Sequence, residues 1–266
     1  MTRPLKLGIV MPVVLQNETI LTATLEAVAH LRTRHCAALY VVCNRLSVCG
    51  PRELERALAP QFSGAACVIY EPFVERSVAG AWNEGCDRAV ADGSDYLAIV
   101  ANDTRLEPEC LDHLVAFGEQ GRAELWSGIS TTGRSDIDAA QITDGADFSC
   151  AMFPPATRAR FGPFDPNFRP AYFEDNDFYG RVVLGGGRCR VVHAARFFHH
   201  GSLTITADAD MAHHVRHWFE ENRSYFARKW GVATPENSAE GVLQHYYPHP
   251  FNDTNNPLWW YPPRPP

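Results

Sequence analysis

No stretch of the 266-residue chain approaches the roughly 20 consecutive apolar residues that a membrane-spanning helix requires. A basic block is missing as well. With 24 Lys and Arg against 31 Asp and Glu the net charge is -7, which argues against a nucleic-acid backbone as the main partner. The eight cysteines (Cys36, Cys43, Cys49, Cys67, Cys86, Cys110, Cys150 and Cys189) include no CxxC pair. Cys43 and Cys67 fall inside apolar runs, where a free thiol behaves as a small core residue. The first residues do not read as a signal peptide, so we expect reduced thiols and a cytoplasmic protein. Internal repeats and clean linkers are also wanting. What remains is one compact domain over residues 1–231, followed by a Pro- and aromatic-rich extension over 232–266.

Within that domain, apolar runs alternate with helical spacing. Residues 5–14, 38–43, 66–70 and 96–100 read as buried strands. Between and after them, residues 20–31, 52–58, 78–90 and 111–117 read as helices. Four such alternations predict a parallel, doubly wound sheet with all four strand ends along one edge. The second half is more mixed. Strands are expected over 125–130, 146–153, 190–193 and 197–198, with a short helix from Pro154-Pro155. A turn-rich segment with exposed aromatics is expected over 161–165. Helices follow over 173–184, closed by Gly185-Gly186-Gly187, and over 211–230.

The stretch YLAIVANDTRLE (96–107) is the pivot, because its apolar run ends abruptly in Asn102-Asp103-Thr104. In open α/β sheets ligands bind at the carboxyl ends of the strands, so Asp103 stands where chemistry is expected. Capping of the helix that begins near Pro108 is the competing reading. A second acidic cluster, Glu174-Asp175-Asn176-Asp177, offers either a general base or favourable charge at a helix N-terminus. Mg²⁺ and Mn²⁺ take oxygen ligands, often one or two carboxylates plus substrate phosphates, and Asp103 suits such a half-empty site. His199 could add an imidazole, or His199-His200 could be a packed or solvated pair. His213 and His217, four apart, read as a solvated helix face. Arg76, ahead of the third helix, could meet a phosphate or be an ordinary surface arginine. Asn83 could reach the crevice or face solvent. Phe161, Phe164, Phe168, Tyr172 and Phe173 could stack on a sugar or base, or simply pack.

These segments together resemble family 2 glycosyltransferases of the GT-A fold, and within them the rhamnosyltransferase-like branch. The resemblance runs from about Lys6 to Gly231. It is carried by GIVMPVV, ERSVAGAWNEGCDRA, YLAIVANDTRLEPECLDHLV, FGPFDPNFRPAYFEDNDFYGRVVLGGGRCRVV, FFHHGSLT and NRSYFARKWG. It implies an α/β fold with a mostly parallel central sheet flanked by helices, a C-terminal helix and an extended tail. The nucleotide-binding half would span about 1–120 and the acceptor half about 121–231.

The implied activity is metal-assisted, inverting transfer of a hexose or deoxyhexose from a nucleoside diphosphate sugar to an acceptor hydroxyl, for instance on a glycan. By that resemblance Asp103 and His199 hold Mn²⁺ or Mg²⁺, and Asp175 is the base, with Glu174 beside it. Pro12, Val13, Asn44, Arg76, Asn83, Asn102 and Asp103 would meet the donor. Phe173, Asp177, Arg181 and His200 would lie on the acceptor side. The sequence departs from the pattern at Ala101 and Asn102, which leave one carboxylate in the DXD motif. Asn44 stands near the position of an aspartate that reads the nucleotide, and Ser77 stands in place of a glycine. A non-catalytic sugar-nucleotide or glycan binder is therefore a second expectation. A sugar-nucleotide nucleotidyltransferase is a third, although no Gly-rich, basic loop follows the first strand.

Overall fold

A computed structural model of the chain describes residues 5–201, 203 and 209–230, with backbone only for 209–216. Nine strands form one sheet: β1 (Lys6–Leu15), β2 (Cys36–Leu46), β3 (Ala65–Tyr70), β4 (Tyr96–Val100), β5 (Thr104–Leu106), β6 (Leu125–Ser130), β7 (Ile142–Asp144), β8 (Cys150–Phe153) and β9 (Cys189–His199). Their order is β3-β2-β1-β4-β8-β6-β9-β5, with β7 against β9. Strands β1 to β4 pair in parallel, while β8 runs antiparallel to β4 and to β6. The sheet is thus mostly but not purely parallel, and β6 and β9 point the same way as β4. The turn-back of strand order lies between β1 and β4. That is the switch point at which open α/β sheets leave a crevice.

The helices are α1 (Glu18–Ala29), α2 (Pro51–Leu58), α3 (Val78–Ala91), α4 (Cys110–Gly118), α5 (Pro155–Phe161), α6 (Glu174–Leu184) and α7 (Ala209–Trp230). Two apolar layers bury the faces of the sheet. One packs α1, α2 and α4 through Ile20, Val28, Leu54, Leu111 and Leu114. The other packs α3, α5 and α6 through Trp82, Cys86, Phe161, Phe178 and Val182. Helix α3 approaches β1 closely at Gly85, where a Cβ would lie 2.4 Å from Val10 Cγ1. A third cluster of Phe168, Phe173, Phe226 and Trp230 fastens α7 to the segment before α6.

Four sequence expectations change here. The aromatics of 161–165 are not exposed: Phe161 and Phe164 are buried, and Phe164 stacks against Trp82 and Phe178. Residues 190–193 and 197–198 belong to one continuous strand, β9. Cys67 is exposed because β3 is an edge strand, although Cys43 is buried as expected. The strand expected over 146–153 is ordered as β8 only from Cys150. The side chains of His213 and His214, and the extension over 232–266, lie outside the described residues, while His217 is exposed beside Trp218.

Candidate active site

Beyond β4 the chain takes a short step that decides the site. After Val100 it turns through Ala101-Asn102-Asp103 and forms β5, which pairs antiparallel with the end of β9, Thr104 opposite His199. The His200 amide donates to the Asp103 carbonyl at 3.0 Å, so the ladder runs on through Asp103. Two residues distant in sequence therefore meet: His199 Nε2 lies 3.1 Å from Asp103 Oδ1. Asp103 Oδ2 accepts from the Leu203 amide at 3.1 Å, and Ser149 Oγ sits 3.1 Å from His199 Nδ1. Capping of α4 is not the role of Asp103, since the residue at that cap is Glu109. Burial pushes the Asp103 carboxyl up, but the His199 hydrogen bond and charge and the Leu203 amide outweigh it and hold it below its ordinary value. His199 moves the other way: burial lowers it, and the carboxylates of Asp103 and Asp147 raise it overall.

The crevice predicted by strand order is a cavity of about 520 Å³. Pro12 and Val13 from β1, Asn44 from β2, Arg76 ahead of α3, and Ala101 and Asn102 after β4 all line it. Asn83 and Asp103 do not. Asn83 is engaged elsewhere, donating to the Phe164 carbonyl at 2.8 Å and accepting from its amide at 2.9 Å, which pins the segment after α5. Asn102 is buried and donates to Thr24 Oγ1 on α1 at 3.0 Å.

Three cavity residues carry buried polar atoms with no partner among the described residues: Asn44 Oδ1, Arg76 Nη1 and Trp82 Nε1. Buried polar groups are nearly always satisfied, so these three are left for water or a ligand in the cavity to complete. The other guanidinium edge of Arg76 is held by Glu71, Nη2 to Oε2 at 2.9 Å, which aims the free nitrogen. Phe73, on the same rim, is fully exposed and holds a left-handed φ of 69°.

Helix α6, with the second acidic cluster in its first turn, begins straight out of two left-handed residues, Tyr172 (φ 78°) and Phe173 (φ 76°). Glu174 is 5% exposed, and its Oε2 has no partner. Burial and the adjacent Asp175 push its carboxyl well above the ordinary value. Asp175 is half-buried, its Oδ1 accepting from the Asn176 amide at 2.8 Å. Burial raises it and Asp147 adds to this, against the backbone amides that lower it. Phe173, Asp177 and Arg181 have no open surface for an acceptor, at 1%, 0% and 1% exposure. Asp177 Oδ2 accepts from Arg181 Nε at 3.0 Å, and its Oδ1 accepts from Lys229 at 2.7 Å and Trp230 at 3.0 Å. These three residues pack the interior between α6 and α7. His200 is exposed and meets Phe198 edge to face.

Sequence reading missed Asp147 and Ser149, whose positions beside Asp175 and His199 come from the turn before β8, where the Ser149 amide donates to Asp147 Oδ1 at 2.9 Å. Nothing in their immediate sequence signals this.

As a donor set, Asp103 and His199 offer one carboxylate oxygen and one imidazole nitrogen. Among the described residues no group of three or more His, Cys, Asp or Glu surrounds a common point. Their 3.1 Å separation nonetheless fits two adjacent ligands of one cation. Neighbouring positions of an octahedron with bonds of about 2.1 Å lie about 3 Å apart. The pair therefore fits a Mg²⁺- or Mn²⁺-type ion that keeps most of its positions for water or phosphate, and the imidazole favours Mn²⁺.

The sheet order, crevice and flanking helices define a glycosyltransferase fold of the GT-A type. The chain is similar to a Pyrobaculum calidifontis mannosyltransferase solved with GDP-Man and Mn²⁺, with TM-score 0.53 and 13% identity over 74% of this chain and 57% of that one. It is also similar to S. aureus TarS, with TM-score 0.59 and 12% identity over 91% of this chain and 43% of that one. GalNAc-T7, solved with UDP, GalNAc and Mn²⁺, gives TM-score 0.57 and 12% identity over 74% and 44%. The chain thus spans about half the length of these structures. No family description matches the sequence, and no curated protein matches it.

Proposed function

We propose that the chain transfers a sugar, with inversion, from a nucleoside diphosphate sugar to an acceptor hydroxyl. The observation that carries this reading is the arrangement at one edge of the sheet. A crevice with three orphaned polar atoms lies next to the strand end that bears the Asp103–His199 pair. The donor's nucleoside would occupy the crevice at the ends of β1 and β2, with Asn44 against its base or ribose. Arg76 Nη1 would complete its bonding on a diphosphate oxygen. Asp103 and His199 would hold the cation, which when bound neutralises the leaving diphosphate.

Asp175 is the base. It is open enough to meet an acceptor, and its raised pKa gives it more basicity than an ordinary carboxylate. It takes the acceptor's proton as that oxygen bonds to the anomeric carbon, while the bond to the diphosphate breaks on the opposite face. Glu174 is more deeply buried, and burial together with the Asp175 charge pushes its carboxyl well above the ordinary value, which disfavours a second charge beside the base. A hexose or deoxyhexose donor, as in the rhamnosyltransferase-like branch, is part of this proposal. A binder without turnover is the second reading, favoured by the lack of a third protein ligand among the described residues.

The test is thermal stability against UDP, GDP, dTDP and their sugars, each with Mn²⁺, Mg²⁺ or EDTA. Ligands that bind the folded state raise the melting temperature by mass action. A shift that needs both one nucleotide class and the cation is expected. If no nucleotide shifts the transition, the proposal is wrong.

A further inference from the structure

We propose that Asn222, on α7, is a positioning residue that sets the base-bearing loop against the donor crevice; this rests on the transfer reading above. Asn222 is 2% exposed, and its whole amide is spent on one loop. Its Nδ2 donates to the carbonyls of Arg169 (3.0 Å), Ala171 (2.8 Å) and Tyr172 (3.2 Å), and its Oδ1 accepts from the Arg169 amide (3.1 Å). Two N–H groups serving three carbonyls means that one bond is shared.

The loop needs such a hold. Tyr172 and Phe173 both sit at left-handed φ immediately before Glu174-Asp175. A bulky residue there is strained and persists only where surrounding contacts over-determine it. The apolar cluster of Phe168, Phe173, Phe226 and Trp230 supplies adhesion, but it does not fix where backbone carbonyls point. Asn222 does that directly.

The same loop also faces the donor. Pro170 and Ala171 line the crevice, and the Pro170 carbonyl accepts from the Val78 amide at 2.9 Å, at the start of α3. Ser77 Oγ donates to the Pro166 carbonyl at 3.1 Å, next to Arg76. One buried amide thus fixes a segment that forms a wall of the donor crevice at one end and aims Asp175 at the other. A base displaced by about 1 Å costs about 100-fold in rate.

The discriminating variant is Asn222→Asp in the full chain. It is nearly isosteric and can still accept from the Arg169 amide, but it loses both N–H groups and turns a carboxylate toward three carbonyls. Phe117→Leu, buried on α4 against Trp126 in the apolar layer of α1, α2 and α4 and chosen for a comparable loss of melting temperature, is the control for general destabilisation. One readout is release of nucleoside diphosphate from UDP-GlcNAc or GDP-mannose with Mn²⁺ and water as acceptor, split into kcat and KM. The other is amide hydrogen exchange over residues 169–177.

In Asn222→Asp, kcat should fall about 100-fold while KM for the donor changes by less than about 5-fold. Exchange over 169–177 should quicken at least 10-fold, with β4 unchanged, and Phe117→Leu should show neither effect at matched stability. Unchanged exchange over 169–177, or a kcat loss no larger than in Phe117→Leu, overturns the proposal. If the wild-type chain releases no nucleoside diphosphate from either donor, the transfer reading is in question, and the exchange comparison alone decides whether Asn222 holds the loop.

Discussion

Replacing Lys229 by Met tests how firmly α7 belongs to the body of the fold. Lys229 Nζ lies 2.7 Å from both Asp165 Oδ2 and Asp177 Oδ1, and it is 2% exposed against 0% for each carboxylate. Arg181 balances the second charge through Asp177, and it also donates to the carbonyls of Phe161 and Pro163. Two buried carboxylates thus face two buried cations. Met fills the volume of Lys but leaves one negative charge unmatched, with Tyr225, Asn167, Arg181 and Trp230 remaining as donors to the two carboxylates among the described residues. Breaking such a pair from one side costs about 3–5 kcal/mol. For a chain of this size each kcal/mol moves the midpoint by about 2–4 °C, so a fall of about 6–20 °C is expected in calorimetry at pH 7.

The pH dependence has a definite sign. Burial pushes Asp177 up, but Lys229 and Arg181 outweigh it and hold its carboxyl below the ordinary value. Its stabilisation is therefore present above the unfolded aspartate pKa, about 3.9, and is lost as pH falls through the lower folded value. Removing Lys229 takes away the first-named of those lowering influences. The variant's deficit should therefore shrink between pH 7 and pH 4, as one carboxyl takes up a proton. Lys229→Met with Asp165→Asn should recover much of the loss at pH 7. A deficit below about 1 kcal/mol, or one that is the same at both pH values, would refute the reasoning.

Glu174→Gln should raise the melting temperature at pH 7–8, by roughly 2–4 °C if it recovers about 1 kcal/mol. Burial and Asp175 raise this carboxyl above its unfolded value, so it costs stability once the pH passes that value, and the gain should vanish below pH 4, where both states are protonated. Phe73→Gly removes an exposed side chain from a left-handed backbone and should stabilise the free protein by up to about 1 kcal/mol, read by urea unfolding. The same change should weaken nucleoside diphosphate binding at the crevice rim. Asp103→Ala should abolish the Mn²⁺-dependent part of the nucleotide-induced stabilisation while leaving the metal-free part, since it removes one of the two proposed cation ligands and no cavity-lining group.

The first half of the fold was legible because β1 to β4 are apolar runs separated by helices of clear period, and burial on both faces leaves such runs little alternative. Asp103 was legible for the same reason, as the polar stop to Tyr96–Val100. Its pairing with His199 was harder to see. That contact depends on β5, three residues long, whose existence comes from register with β9 and from no local pattern. Phe161 and Phe164 were misjudged because Gly162 and Pro163 read as surface punctuation, yet the turn is pressed between α3 and α6. Asn222 and Lys229 sat within an evident amphipathic helix. Their partners, the 169–172 carbonyls and Asp165 with Asp177, are reached only through the tertiary fold. Asp147 and Ser149 carry no motif at all.

The central claim is base-assisted sugar transfer, and single-turnover release of nucleoside diphosphate from enzyme saturated with donor and Mn²⁺ tests it most directly, wild type against Asp175→Asn. Donor binding equal in the two proteins, with release slowed by about 100-fold or more in the variant, is the result predicted for a general base. Equal release rates would contradict the account.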